Sequence, residues 1–346
     1  MRRLMFIAFL AVAATVPGAG AAPVALPDVQ GPDVPATTPP VAVVTAFDRV
    51  EFSCAQQGIK TTTIAVPPVS FDRVILFVRI TPDGDPWDRL FGVAINGVEV
   101  LRGTTPRTQF TLRKDITEFA RLLPPGGTAQ VSLMSGSFVG RLLETVRIEF
   151  FSHDRTKALV RPPADRVVGA FLWRSLTGAG TRASAQVAFP AGAPASATVE
   201  LTLSGHGQSG EFWYLDNPVP RAFHILVGGK EIAVARSMPY TYALLGFGNA
   251  NANNACAGPG TSSTGDRLHP LMWWTAQRAA DIAGVHLGVG EIPPYRAQIA
   301  AADLALLDGS RTVEARQQGG DGLPQDWPVS LSFLLRLGIR PLNAGA

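Results

Sequence analysis

Val93-Ala94-Ile95-Asn96-Gly97-Val98-Glu99-Val100 reads as a β-hairpin, two short β-prone runs joined by Asn-Gly. Asn and Gly accept the positive φ angles of a type I′ turn, whose twist matches the strands it joins. The same grammar recurs along the chain. Arg73 to Ile80, Thr128 to Leu133, Thr145 to Phe151, Val167 to Trp173, Ser184 to Pro190, Ala197 to Leu203 and Val329 to Leu337 are short alternating or β-branched runs. Phe223 to Val227 and Glu231 to Ala235 flank a Gly228-Gly229 turn, a second hairpin. Thirty-five glycines and 28 prolines are spread among these runs. That is the pattern of an all-β protein. One short helix is expected from Asp115 to Leu123, where Glu118 follows a capping acid by three residues.

A chain of 346 residues suggests two domains of about 150 residues each. The charged, Pro-containing stretch Asp154 to Asp165 marks the division. The expected organisation is a first β-sandwich over 47–155 and a second over 156–346, antiparallel and packed side by side. A cleft between them is a usual place for a ligand. Asn249 to Gly265 reads as a long loop, a length that in compact domains usually signals function or mobility.

Met1-Arg2-Arg3, the apolar run Leu4 to Val16 and the small residues Ala19-Gly20-Ala21 read as a signal peptide over 1–21. The apolar run falls short of the ~20 residues of a membrane span. Residues 22–46 are rich in Pro, Ala and Thr and read as an extended leader. The expectation is a secreted or periplasmic protein that leaves the membrane after cleavage. Loss of Arg2 and Arg3 leaves 28 basic against 27 acidic groups. That balance gives no footprint for a nucleic-acid backbone. Cys54 and Cys256, 202 residues apart, read equally as free thiols or as one long-range bridge.

The sequence contains no Gly-x-Ser-x-Gly, no phosphate-binding Gly-x-x-x-x-Gly-Lys-Ser/Thr and no His-Glu-x-x-His. The five histidines lie outside metal-pair spacing. The expected chemistry needs no metal and no cofactor, and rests on carboxylates and aromatics. Three stretches offer these groups. Trp87-Asp88-Arg89 supplies a sugar-stacking face, a base and a cation, or else a turn whose Trp plugs a sandwich edge. Ser204-Gly205-His206-Gly207 leads to Glu211-Phe212-Trp213-Tyr214. Aromatic burial there would raise the Glu211 pKa; the other reading is a solvated acid beside core rings. Arg267 precedes Trp273-Trp274, neighbours that cannot both face one core from a strand. One of the two would then stand partly exposed, where it could stack on a sugar; the other reading is a Trp-rich packing turn.

In this order the three stretches resemble the peptide-N-glycanase A type of glycoasparagine amidase, and more distantly the F type. The likeness runs through Asp88-Arg89-Leu90-Phe91-Gly92-Val93, Asn96-Gly97-Val98-Glu99-Val100-Leu101-Arg102 and Leu112-Arg113-Lys114-Asp115-Ile116-Thr117. It continues in Glu211-Phe212-Trp213-Tyr214, Pro270-Leu271-Met272-Trp273 and Leu306-Leu307-Asp308-Gly309. The resemblance implies two jelly-roll sandwiches. It also implies hydrolysis of the amide joining an Asn side chain to the first N-acetylglucosamine of an N-linked glycopeptide or glycoprotein. Asp88 and Glu211 are the implied catalytic residues. Trp87, Arg89, His206, Trp213, Arg267 and Trp273 are the implied substrate-binding residues. The family carries a further glutamate near the end of the first sandwich. Here the comparable stretch, Ser132 to Ser137, holds no acid, and Glu144 is the nearest. Catalysis with two carboxylates, or glycan binding without cleavage, are the two consequences.

Overall fold

A computed structural model of the chain describes residues 39–53, 55–56, 58–83, 90–104, 110–135, 141–152, 162–177, 182–203, 206–207, 221–236, 294–319 and 325–337. Seventeen strands occupy most of them. These are β1 Ala42–Ser53, β2 Gly58–Ala65, β3 Arg73–Asp83, β4 Leu90–Ile95, β5 Val98–Thr104, β6 Phe110–Asp115, β7 Thr128–Ser135 and β8 Arg141–Phe151. Then follow β9 Arg166–Thr177, β10 Arg182–Ala188, β11 Ser196–Leu203, β12 His206–Gly207, β13 Arg221–Val227, β14 Lys230–Arg236, β15 Tyr295–Gln298, β16 Ser310–Gly319 and β17 Gln325–Arg336. The all-β expectation holds, and the four sheets are antiparallel.

Sheet β1-β8-β3-β6 and sheet β2-β7-β4-β5 enclose the first core, around the fully buried rings of Phe52, Phe91 and Phe150. The second core, around Phe223 and Phe333, lies between β10-β16-β13-β14 and the sheet in which β9, β17, β11 and β15 pair in turn. Counting β9 to β17 without the two-residue β12, the second strand order repeats the first.

The repetition extends to irregularities. The β1–β8 register slips between Phe47 and Val50, and the β9–β17 register slips at the corresponding place, between Phe171 and Arg174. Each slip holds a non-glycine residue with φ of 49°, Arg49 or Trp173, eighth in a twelve-residue strand. Such a backbone is uncommon outside glycine, asparagine and aspartate. Each is held alike: Arg49 N–H donates to Thr145 Oγ1 at 3.1 Å, and Trp173 N–H to Ser330 Oγ at 3.0 Å. The two hairpins match as well, with a slip placing Glu99 opposite Ala94 and Glu231 opposite Leu226.

The Asn96-Gly97 turn forms as read, with φ of 48° and 78°. Asn96 Nδ2 donates to Leu122 O, and Asn96 Oδ1 accepts from Gln130 N–H, both at 2.8 Å. The helix expected at Asp115 to Leu123 is a 3₁₀ turn, Thr117–Leu122, entered as Asp115 Oδ1 accepts from Thr117 N–H. The leader reading of 22–46 reaches too far, because β1 begins at Ala42. Ala42, Val44 and Ala46 alternate with exposed residues and pack on the first core, and Val41 N–H donates to Phe150 O. Alternation was masked there by the surrounding Pro, Ala and Thr. Within Ser204-Gly205-His206-Gly207, the backbone of His206 and Gly207 pairs with Asp326 and Gln325 as the short strand β12.

Asn96→Ala removes both side-chain hydrogen bonds and keeps the positive φ. It is expected to cost about 2 kcal/mol, read as a lower urea midpoint at unchanged slope. An unchanged midpoint would show that the turn is held elsewhere.

Candidate functional site

The sandwiches meet where β4 and β5 lie against β9, β11 and β17, and the meeting surface is polar at its centre. The slip in β4–β5 falls between Val93 and Ala94, leaving Val100 as the extra residue. It therefore puts Glu99 and Arg102, three apart, on one face, where a regular strand would separate them. Arg102 Nε donates to Glu99 Oε1 and Nη2 to Oε2, both at 2.7 Å. Trp173 Nε1 donates to the same Oε1 at 2.9 Å from the second sandwich. Arg102 Nη2 also reaches Ser330 Oγ at 3.4 Å. The Arg102 side chain is fully buried. Gly92 permits this: a Cβ there would stand 2.7 Å from Glu99 Oε1 and 3.0 Å from Trp173 Nε1.

A second crossing lies beside the first. Arg296 on β15 forks onto Glu118 at 2.6 and 3.0 Å, and its Nε meets Glu200 at 2.9 Å. Burial works against its charge, but Glu200 and then Glu118 hold the guanidinium above its ordinary pKa. Between the two crossings is a crevice of about 10 Å³ bordered by Arg102, Lys114, Glu118, Glu200 and Thr202. It has room for one water. Among the described residues no three of His, Cys, Asp or Glu come together as a metal centre would require. No helix among them is long and apolar enough to cross a membrane.

The register across this seam also orients the two sandwiches. Gly169 meets Gly97 and Val98, Trp173 meets Glu99, and Ser330, which pairs beside Arg174, meets Arg102. Strands β5 and β9 thus run the same way. At the end they approach lie, in the first sandwich, Asp83 paired with Arg141, Leu90 paired with Thr104, and Ser135 paired with Phe91 beside Leu90. Thr177, Leu203, Gly207, Arg221 and Gly319 of the second lie at that end too. Asp83 and Leu90 bracket 84–89, Gly207 and Arg221 bracket 208–220, and Arg236 and Pro294 bracket 237–293. Trp87, Asp88, Arg89, Glu211, Trp213, Arg267, Trp273, Cys54 and Cys256 fall outside the described residues, as does the 249–265 stretch. His206 is described only in its backbone pairing with β17.

Glu144 belongs to the same end of the first sandwich. It pairs with Val50 and Ile80, and its side chain enters the core with 0% exposure. Its structural counterpart in the second sandwich is Val329, since Thr145 and Ser330 correspond and these residues precede them. Desolvation drives the Glu144 pKa up to about 8, opposed by the Ser135 hydroxyl beside it. Neither carboxyl oxygen has a hydrogen-bond partner among the described residues. The acid is therefore neutral at pH 7. Sequence reading noticed Glu144 only as an acid near a gap, and passed over Glu99, Arg102, Glu118, Trp173, Glu200 and Arg296 as site builders. A charge on a strand gives no sign of which sheet will cover it.

Two outcomes follow. Glu99→Gln leaves the buried Arg102 cation short of its counter-charge and is expected to destabilise by about 3–5 kcal/mol in urea unfolding; a loss below 1 kcal/mol would make the pair incidental. Glu144 holds its proton in the folded chain up to about pH 8, whereas an ordinary solvated glutamate releases it near 4.5. Its contribution to stability is therefore lost as pH rises between those values, by about 1.4 kcal/mol per unit. Glu144→Gln removes that slope, so the variant should melt progressively higher than the parent from pH 5 to pH 8. Parallel melting curves across the range would exclude Glu144 as their cause.

Comparison with known proteins places this architecture. A family model described as peptide N-acetyl-beta-D-glucosaminyl asparaginase amidase A matches residues 35–226, more than half of the chain. No curated protein sequence matches. Among solved structures, PNGF-II aligns over 86% of this chain and 65% of its own, at 14% identity and a TM-score of 0.56. The chain thus spans slightly less than two thirds of the length of PNGF-II. A peptide-N(4)-(N-acetyl-beta-D-glucosaminyl)asparagine amidase aligns over 86% of this chain and 96% of its own, at 16% identity and a TM-score of 0.51. These structures share the fold. With the family match spanning β1 to β13, the chain belongs to the peptide N-acetyl-β-D-glucosaminyl asparaginase amidase A family.

Proposed function

We propose that this protein is an exported amidase that removes N-linked glycans from peptides and proteins, its two sandwiches both jelly rolls. The observation that carries the reading is the family match over 35–226, which includes both Asp88 and Glu211. The register across the seam supports it, since the strands bracketing both residues end on one side of the molecule. The repeated strand order supports the jelly-roll part.

An amide is a weak electrophile, so water must be activated and the departing nitrogen protonated. In this mechanism Asp88 accepts a proton from the water whose oxygen attacks the Asn side-chain carbonyl carbon. Arg89 keeps Asp88 ionised. The carbon–nitrogen bond breaks as Glu211 donates a proton to the nitrogen, which leaves as the glycosylamine. The peptide keeps an aspartate, and water later releases ammonia from the sugar. Trp87, Trp213 and Trp273 stack on the sugar faces, while His206 and Arg267 hydrogen-bond its hydroxyl and amide groups. Two carboxylates in unlike surroundings divide base and acid roles in this way.

A second reading, a glycan-binding protein without turnover, is favoured by one observation. Glu144, the acid nearest the acid-free stretch Ser132 to Ser137, is buried with 0% exposure. Mass spectrometry of an N-glycopeptide after incubation separates the two. Amidase action returns the bare peptide with Asp in place of Asn, whereas binding returns the glycopeptide unchanged. Asp88→Asn should slow release by about 10²–10⁴-fold; release at the parental rate would remove Asp88 from the mechanism.

A further inference from the structure

The two polar crossings between the sandwiches differ in what the fold requires of them. At the first, Glu99 is the counter-charge of a fully buried arginine and cannot be spared. At the second, Arg296 has two acids, and the internal repeat shows which of them its position needs. Thr145 pairs with Arg79 and Ser330 with Thr202, so two residues earlier Phe77 corresponds to Glu200. Their edge-strand partners, Arg113 on β6 and Arg296 on β15, therefore correspond as well. Arg113 pairs with Glu149 of its own sheet. Arg296 has an own-sheet acid too, Glu200 at 2.9 Å. Glu118, which comes from the first sandwich, is the addition.

That addition is built to hold an angle. Each carboxyl oxygen of Glu118 accepts from one guanidinium nitrogen, at 3.0 and 2.6 Å, and a two-bond fork fixes direction as well as distance. The Glu118 backbone is held too: its carbonyl accepts from the N–H of Ala164, whose side chain is buried in the first core. On the other side, Arg296 is held by the register of β15 on β11. One crossing is a pivot, and a second crossing beside it stops rotation about the first. Thr104, at the end where the candidate segments leave, is five residues beyond Glu99. At ~3.4 Å per residue that is about 17 Å, so a turn of about 5° about the Glu99 crossing moves it by about 1.5 Å. A displacement of about 1 Å is enough to cost ~10²-fold in rate.

We propose that Glu118 and Arg296 are a positioning pair for the amidase reaction. By fixing the angle between the sandwiches they set the distance between Asp88, carried by the first, and Glu211, carried by the second. Both act through those carboxylates and not on the substrate. The inference rests on the activity proposed above.

Glu118→Gln removes the charge from the fork and leaves Arg296 paired with Glu200. In glycopeptide release followed by mass spectrometry, well below the melting temperature of either protein, it is expected to lower kcat at least about tenfold and to keep KM within about threefold. Lys230→Gln, which breaks an ion pair to Asp303 inside the second sandwich, should keep the parental kcat. Residual dipolar couplings give a readout without turnover: one alignment tensor fits both sandwiches of the parent, and the variant needs two. Parental kcat in Glu118→Gln overturns the proposal, as does a single tensor in that variant or an equal loss of kcat in Lys230→Gln. A parent that releases no glycan removes the activity reading by itself. Two tensors in the variant would then still uphold the pair as the element that fixes the angle, and one would overturn it. Should Glu118→Gln fail to fold, Arg296→Lys, which keeps a cation beside Glu200 and loses the fork, takes its place. If neither folds, the bridge is a folding contact and the proposal fails.

Discussion

The bonds that Trp173 and Arg102 make at the junction of the sandwiches converge on one carboxylate. Glu99 takes both forks of a fully buried arginine from its own strand and an indole N–H from the opposite domain. A buried cation is tolerated only if its counter-charge is close and its remaining donors are met. Arg102 meets both conditions through Glu99 and Ser330, and Ser330 in turn caps the N–H of Trp173. The strained backbone of Trp173 is thereby tied to the same group that satisfies Arg102. A polar junction of this kind tolerates few alternative angles, because sliding by one residue would strand a charge. It sets the relative direction of β5 and β9, and with it the side on which both candidate catalytic segments leave their strands.

The repeat gives a standard for judging departures. Where the two sandwiches share a feature, as in the paired bulges capped by Thr145 and Ser330, folding geometry is sufficient explanation. Where they differ at equivalent positions, the difference is chemical. Glu144 stands where the second core has Val329, and the exchange replaces a methyl-bearing side chain with an acid forced to stay neutral. Glu99 is sealed at the seam, whereas its counterpart Glu231 is exposed and pairs with His224.

Much of the fold was legible because strands announce themselves locally. The Asn96-Gly97 and Gly228-Gly229 turns and the β-branched runs each carry their own signal within about ten residues. The first five residues of β1 were misread because Pro, Ala and Thr around them resemble a leader, and only pairing with β8 identifies them as strand. The candidate site was legible in a different way. Trp87-Asp88-Arg89 and Glu211-Phe212-Trp213 stand out by chemistry and by family likeness, not by any local geometry.

The sequence by itself determined that the chain is all-β, where its hairpins turn and which family it resembles. Those properties are encoded in side-chain alternation, in residues that accept positive φ, and in short ordered motifs. Tertiary structure alone decided that Glu99 and Arg102 share a face, that Arg296 bridges two domains, and that Glu144 lies in a core. Each of these depends on a register slip or on which sheet packs over which. A period-two pattern gives the same alternation whether the outer face meets water or another domain, so the seam could be found only once both sandwiches were in place.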